Sequence, residues 1–252
     1  MRIAIFILVT VLLQPATARG ACEAATEQPL PLLELYTSEG CSSCPPADRW
    51  LRELERAGRP IAAVPLAFHV GYWDYIGWKD RFAVPAHEAR QRARVARAGE
   101  RVVYTPQVML GDDVQVNWRN RATLAAAAAH LEENAPALHV AMHARPTASG
   151  YDIDLKSAGE GEWQLHLALY GNGLVSNVTA GENRSLRLQH DRVVRSLHGP
   201  WRTGGQRVVP VVLPKEPGMS YGVVALMVRP GAAGTGWALD LPLLGCGSAP
   251  EG

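Results

Sequence analysis

Two hydrophobic periods alternate along the first half of the chain. Short apolar runs fit buried strands, and longer segments repeat apolar residues every three to four positions, as helices do. Trp50, Leu51 and Leu54 show this helical spacing after a pair of prolines, which are favoured in the first turn of a helix. The pattern predicts strands over 31–36 and 61–68, helices over 45–57, 85–98 and 121–133, and a hairpin of 107–110 and 114–117.

The order of these elements is β-α-β-α-β-β-α, with a parallel first half and an antiparallel second half. We therefore expect residues 31–136 to form a thioredoxin-like α/β domain. From residue 137 onward, short segments separated by Gly, Pro and Asn have the spacing of a β-sandwich. This spacing predicts an all-β, sandwich-like second domain over 137–252.

The first residues have the pattern of an export signal. A basic start is followed by an apolar run and by small residues at 16 and 18, which predicts a cleaved signal peptide over 1–18 and an N-terminal extension over 19–30. No later run reaches the roughly 18 apolar residues of a membrane helix. We expect an exported chain with no stable membrane insertion after cleavage; the alternative is an uncleaved anchor.

Composition limits the classes of partner. With 47% apolar residues, 19% charged residues and a formal net charge of +1, the chain is an ordinary globular protein and not a disordered one. A balance this neutral lacks the basic excess that holds a domain on a phosphate backbone. We therefore expect no nucleic-acid partner.

The candidate chemistry lies at Cys41-Ser42-Ser43-Cys44, where a predicted strand gives way to a predicted helix. Unpaired amides and the positive end of the helix dipole stabilise a thiolate at such a point. Cys41 is the candidate nucleophile, and Cys44, expected one turn further on and more buried, is the candidate resolving thiol. Glu34 on the preceding strand is a candidate acceptor of the Cys44 proton. The motif predicts a thiol–disulfide oxidoreductase that needs no cofactor and acts on protein or small-molecule thiols and disulfides.

Two other interpretations of the C-x-x-C motif stay open. In the first, the two cysteines form a structural disulfide inside a non-catalytic binding module. In the second, the cysteines and His69 bind copper. A closed zinc site is disfavoured because it needs four ligands and the sequence contains no second C-x-x-C motif. We predict no metal site.

Thr105-Pro106 stands just before the third predicted strand. In thioredoxin-like folds a cis-proline at that point lies against the C-x-x-C motif, and the residue before it hydrogen-bonds an incoming peptide as an extra strand. We therefore predict a cis Thr105–Pro106 bond beside Cys41 and Cys44. Both Thr105 and Pro106 then belong to the catalytic site.

The segment after the second predicted strand is rich in aromatic residues. Loops at the carboxyl ends of strands are where α/β proteins form their sites, so Tyr72 and Trp73 are predicted to bind substrate, with His69 near enough to tune Cys41. The alternative is that these rings only cap the sheet.

Cys22 and Cys246 bracket the mature chain. An even number of cysteines in an oxidising compartment favours pairing. We therefore predict two disulfides, Cys41–Cys44 and Cys22–Cys246.

Three stretches of sequence resemble a known family. They are LELYTSEGCSSCPPAD at 33–48, HVGYWDYIGWKD at 69–80 and YTPQ at 104–107, and the likeness extends to GEN at 181–183 and VVR at 193–195. Together they closely resemble a bacterial secreted family catalogued as domain of unknown function twelve-twenty-three, which has a thioredoxin-like N-terminal domain. The resemblance implies that fold and a periplasmic or secreted bacterial protein. It implies no activity, because the function of the family is not established.

Overall fold

The computed structural model describes residues 22–57, 60–111, 116–230 and 236–247. The described part is mostly β, with 42% of residues in strands and 19% in helices. The predicted signal peptide over 1–18 lies outside the described residues. Within them, no helix is both long and apolar enough to cross a membrane.

The structure contains the following elements in the described residues. The helices are α1 (Pro45–Arg56), α2 (Pro85–Arg97) and α3 (Arg121–Glu133), with a short 3₁₀ turn at Asp74–Ile76. The strands are β1 (Glu23–Thr26), β2 (Leu30–Thr37), β3 (Val64–His69), β4 (Gln107–Leu110), β5 (Leu138–Pro146), β6 (Gly150–Gly159), β7 (Gln164–Asn172), β8 (Leu174–Asn177), β9 (Arg187–His190), β10 (Val193–Arg202), β11 (Gln206–Val212), β12 (Ser220–Val228) and β13 (Trp237–Pro242).

Six strands close into a barrel in the order β2-β3-β10-β7-β12-β13. The pairing of Trp237 on β13 with Pro31 on β2 completes the ring, and β4 pairs with the remaining part of that edge of β2. Both neighbours of β3 are parallel to it, and the other barrel pairs are antiparallel. One apolar cluster takes side chains from every barrel strand and so fills the interior, including Leu32, Phe68, Tyr170, Val194, Leu226 and Ala238.

The predicted fold class, a thioredoxin-like α/β domain followed by a separate sandwich, is wrong. β2, β3 and β4 do form with the predicted parallel and antiparallel senses, but they belong to the barrel sheet and do not make an α/β sheet of their own. Val193 of β10 pairs with Ala67 on one edge of β3. In the predicted domain, β3 would have paired only with strands from residues 31–136. The alternation of apolar residues identifies a strand but not the strand that occupies its edge, which explains the error.

A second sheet covers one side of the barrel. It has the order β1-β5-β6-β11, all antiparallel, and its inner face packs on β7, β12 and β13. Helices α1 and α3 pack on the opposite side, against β2, β3 and β4. The predicted boundary at residue 136 stays a prediction. Both the second sheet and the barrel contain strands from each side of this residue.

The first strand of the predicted hairpin after residue 106 is confirmed, and the second falls partly outside the described residues. β4 forms as predicted, whereas 116 and 117 lie outside any strand, and 112–115 lie outside the described residues. The carboxyl ends of β2 and β3 lie next to the start of α1. These three element ends form the candidate site.

Candidate functional site

Cys41 and Cys44 are joined by a disulfide in the turn between β2 and α1. Their Cα atoms are 5.4 Å apart, and the amide of Cys44 donates to the carbonyl of Cys41 at 3.1 Å. Cys44 is the N-cap residue of α1, and its own carbonyl accepts from the amide of Asp48 at 3.1 Å. The prolines at 45 and 46 carry no amide hydrogen, so the first turn starts with two fewer donors to satisfy. The predicted Cys41–Cys44 disulfide is confirmed.

The solvent exposure of the two cysteines differs from the prediction. Cys41 is 1% exposed and Cys44 is fully buried, so the expected exposed first cysteine is not observed. Cys44 lies at the start of α1 and not one turn inside it, because the helix begins at Pro45. The predicted start of the helix at residue 45 is confirmed, and it places Cys44 at the N-cap.

Thr105 and Trp73 border the disulfide. The Thr105–Pro106 bond is cis, as predicted, and the sulfur of Cys41 lies 3.7 Å from the carbonyl oxygen of Thr105. The indole of Trp73 donates to the hydroxyl of Thr105 at 2.7 Å. A Cβ atom on Gly40 would lie 2.9 Å from the Cβ of Trp73, so the turn carries glycine where Trp73 approaches. The structure therefore brings Cys41, Thr105 and Trp73 together.

Tyr72 and His69 have different surroundings. The ring of Tyr72 lies 6.5 Å from that of Trp73, and burial raises the pKa of its hydroxyl. His69 is fully buried, and its Nδ1 is 2.7 Å from a carboxylate oxygen of Asp80. Tyr72 thus continues the aromatic border, whereas His69 lies inside the protein. Substrate binding by these three residues stays a prediction.

Glu34 lies on the opposite face of β2 from Thr37. Its carboxylate accepts from Arg90 at 2.7 Å and from Arg94 at 2.9 Å. Burial alone would raise the pKa of Glu34, but the two guanidinium groups outweigh burial and lower it. Its oxygens are therefore occupied by arginines of α2, and the structure does not place Glu34 next to Cys44.

A group of buried ionisable side chains lies behind the disulfide instead. Asp48 of α1 accepts from the hydroxyl of Thr37 at 2.8 Å, and its second oxygen is 3.7 Å from Nδ1 of His190. Nε2 of His190 is 3.2 Å from Glu39, which in turn accepts from the indole of Trp78 at 2.8 Å. We call Glu39, Asp48, His69, Asp80 and His190 the buried cluster.

Burial and pairing shift the pKa values of this cluster in opposite directions. Burial alone would raise the pKa of Asp80, but His69 beside it and two backbone amides lower it to about 2. Burial alone would lower the pKa of His69, and the carboxylate of Asp80 outweighs this effect and raises it. Burial raises the pKa of Asp48 above its ordinary value, in spite of the histidines nearby. Asp48 is therefore the carboxyl group of the cluster whose pKa is raised, whereas the pKa values of Glu39 and Asp80 are lowered.

Two residues from the β8–β9 hairpin hold the cysteine turn. The side-chain amide of Asn183, which is buried, donates to the carbonyls of Glu39 at 2.8 Å and Cys41 at 3.0 Å. The carboxylate of Glu182 accepts from the amide of Ser42 at 3.0 Å. These bonds join segments about 140 residues apart in sequence and close the hairpin over the turn.

Sequence reasoning missed the buried cluster apart from His69. Glu39, Asp48 and Asp80 are carboxylates inside the quoted motifs, and acidic residues within apolar stretches were the available signal. His190 carries no local signal, because its neighbourhood is created by the packing of β9 on α1.

Cys22 and Cys246 are neighbours, as predicted from their positions at the two ends of the mature chain. Both pack in the core between the barrel and the second sheet. Burial, and then the neighbouring thiol of Cys22, raise the pKa of Cys246 to about 12. Both carry thiols in this structure, and the predicted bond between them stays a prediction. Across the described ranges, no group of three or more His, Cys, Asp or Glu side chains could hold a metal ion.

Comparison with known proteins identifies a solved structure with a similar fold and a matching family model. It is similar to the crystal structure of protein AGR_C_4864 from Agrobacterium tumefaciens, with a TM-score of 0.62 and 23% sequence identity over 84% of this chain and 93% of that one. At this identity the likeness concerns the fold alone. No curated protein matches the chain. The model of the family described as "Protein of unknown function (DUF1223)" matches residues 32–228, and the chain belongs to that family.

Proposed function

We propose that this protein is a thiol–disulfide oxidoreductase that exchanges electrons through Cys41 and Cys44. The observation that carries the proposal is Asp48, a buried carboxyl group with a raised pKa on the same face of α1 as Cys44, four residues away. Burying ionisable side chains costs stability, and proteins retain such groups where their function requires them. A structural disulfide does not require ionisable groups next to it. A buried carboxyl group with a shifted pKa next to a reactive pair is a candidate functional group.

The exchange proceeds in two steps. Because Cys41 is 1% exposed in the oxidised protein, the exchange requires the cysteine turn to open. A thiolate of the partner then attacks the sulfur of Cys41, the Cys41–Cys44 bond breaks, and Cys44 leaves as a thiolate that takes a proton from Asp48. A second thiolate of the partner then attacks the mixed disulfide and releases Cys41. The partner dithiol becomes a disulfide, and the cysteine pair gains the two electrons; the reverse sequence oxidises a partner.

The partners are dithiols or disulfides of proteins or small molecules. An apolar run before residue 18 supports export to the periplasm or the outside of a bacterial cell, where such an enzyme meets oxidised cysteines. The carbonyl of Thr105 beside Cys41 and the indole of Trp73 supply the polar and aromatic surface next to the reacting sulfur.

The test compares Asp48→Asn with Glu53→Gln, a carboxylate of the same helix that is exposed and paired with Arg121. Reduction of the disulfide by dithiothreitol is followed by alkylation and mass spectrometry at several pH values. Asp48→Asn is expected to slow reduction on the order of 100-fold at neutral pH, the low end of general acid catalysis. Equal rates in the two variants would remove Asp48 from the mechanism.

A second candidate is a binding module in which the disulfide is structural. The burial of both sulfur-bearing residues favours it. Titration against glutathione buffers separates the two: structural disulfides have potentials below about −300 mV and resist glutathione. A potential above that value supports the oxidoreductase, and a disulfide that no glutathione mixture reduces supports the module.

A further inference from the structure

A small polar cavity lies between α1 and β9, next to Asp48 and His190 of the buried cluster. Its volume is about 90 Å³, enough for several water molecules or one small anion. Asp48, Arg49 and Arg52 reach it from one face of α1, where residues three and four apart are neighbours. From β9 it is lined by Arg187, Gln189 and His190.

Positive charge dominates this cavity. Among the described residues, no carboxylate forms an ion pair with Arg49, Arg52 or Arg187. The glutamates at 53 and 55 of the same helix are engaged elsewhere, with Arg121 at 3.2 Å and Arg192 at 3.6 Å. Asp48 is the acidic residue of the lining, and one of its oxygens already accepts from Thr37.

Two buried nitrogen atoms of the lining have no hydrogen-bond partner within the part of the chain that the structure describes. They are Nδ1 of His190, a residue 2% exposed, and Nε of Arg52. Both side chains are fixed by other atoms: Arg52 donates to Gln189 at 2.5 Å, and Nε2 of His190 is 3.2 Å from Glu39. The nearest carboxylate oxygen to Nδ1 is that of Asp48 at 3.7 Å, beyond hydrogen-bond distance. A buried polar atom without a partner is costly, so an oxygen ligand in this cavity would satisfy Nε of Arg52, and Nδ1 of His190 in the form of the ring that carries a hydrogen there.

We propose that the cavity binds a small oxyanion, either inorganic phosphate or sulfate or the phosphate group of a small monoester. Guanidinium groups match the oxygens of such anions with paired, charge-assisted hydrogen bonds. Arg52 and Arg187 supply donors from two elements, and Nδ1 of His190 adds a donor in the form of the ring that carries a hydrogen there. The positive end of the α1 dipole adds to the attraction. The site uses neither cysteine, although Asp48, the proton donor of the redox proposal, is part of its lining.

The experiment is calorimetric titration of phosphate into the full chain at neutral pH, with chloride at equal ionic strength as the blank. Arg187→Gln and Arg52→Gln are compared with Arg56→Gln, which removes the same charge from the exposed last turn of α1. The two lining variants are expected to weaken phosphate binding about tenfold each, and the control to leave it within about twofold. Arg187 is exposed, so its variant is expected to fold even if Arg52→Gln does not.

Two further measurements test where the ligand binds and whether the site accepts a phosphate monoester. Binding in the cavity should shift the NMR signals of the His190 ring during titration, and methyl phosphate should reproduce the shift if the site accepts a monoester. The proposal would be overturned by absence of binding heat or by an unmoved His190 signal. It would also be overturned if Arg56→Gln weakened binding as much as the lining variants, since this result would show that phosphate is attracted by net charge alone.

Discussion

Asn183→Ala tests whether the β8–β9 hairpin holds the cysteine turn closed. Asn183 is 2% exposed and donates both hydrogens of its amide, one to the carbonyl of Glu39 and one to the carbonyl of Cys41. The carbonyl of Cys41 keeps its bond from the amide of Cys44 after the substitution. The variant therefore leaves the Glu39 carbonyl deprived of this donor and the Cys41 carbonyl with one partner in place of two.

The size of the effect follows from these two carbonyls. A buried carbonyl deprived of its donor costs about 1–3 kcal/mol, and loss of one ordinary hydrogen bond costs about 0.5–1.5 kcal/mol. We expect the free energy of unfolding to fall by about 2–3 kcal/mol. The same change should loosen the cover over Cys41 and speed reduction of the disulfide by dithiothreitol about tenfold.

Urea unfolding of the oxidised protein, followed by tryptophan fluorescence, measures the first quantity, and timed alkylation measures the second. Asn177→Ala is the matched control, since Asn177 is an exposed residue of the same hairpin. A loss of stability no larger than that of the control, with an unchanged rate of reduction, would refute the role given to Asn183.

Three further predictions concern the charges and thiols around the site. Asp80→Asn should lower the free energy of unfolding by about 2 kcal/mol at pH 7, since the pKa of Asp80 is about 2 and not 3.8. The loss should shrink as the pH falls from about 4 toward 2, where the native carboxylate also becomes protonated; an equal loss in urea unfolding at pH 7 and pH 2.5 contradicts this. Glu182→Gln, which removes a negative charge next to the cysteine turn, should increase the alkylation rate of the reduced protein at neutral pH, and no increase argues against that charge acting on the thiols. Peptide mapping without reductant should recover Cys22 joined to Cys246 after oxidation by glutathione disulfide, and two separately alkylated peptides would exclude that bond.

The sequence was informative where the interactions are local. The helical spacing of Trp50, Leu51 and Leu54 predicted α1, and apolar runs predicted β2 and β3, because each pattern reflects burial of one face or of a whole strand. The meeting of Cys41 with Thr105 was also predicted, from the order of elements around β4. The barrel was not predicted. Its closure depends on the pairing of β10 with β3 and of β13 with β2, and no local sequence pattern specifies these pairings.

The position of Glu34 explains why the proposed proton donor to Cys44 is a different carboxyl group. Side chains alternate along β2, so Glu34 shares a face with Leu32 and Tyr36, which point into the barrel, and Thr37 shares the other face with the side chains that meet α1. A carboxylate able to reach Cys44 therefore had to come from the helix itself, where position i+4 lies directly behind the N-cap. Asp48 occupies that position, and the same periodicity that identified α1 was sufficient to place it there. His190, which completes its surroundings, depends on the packing of β9 and could be found only from the fold.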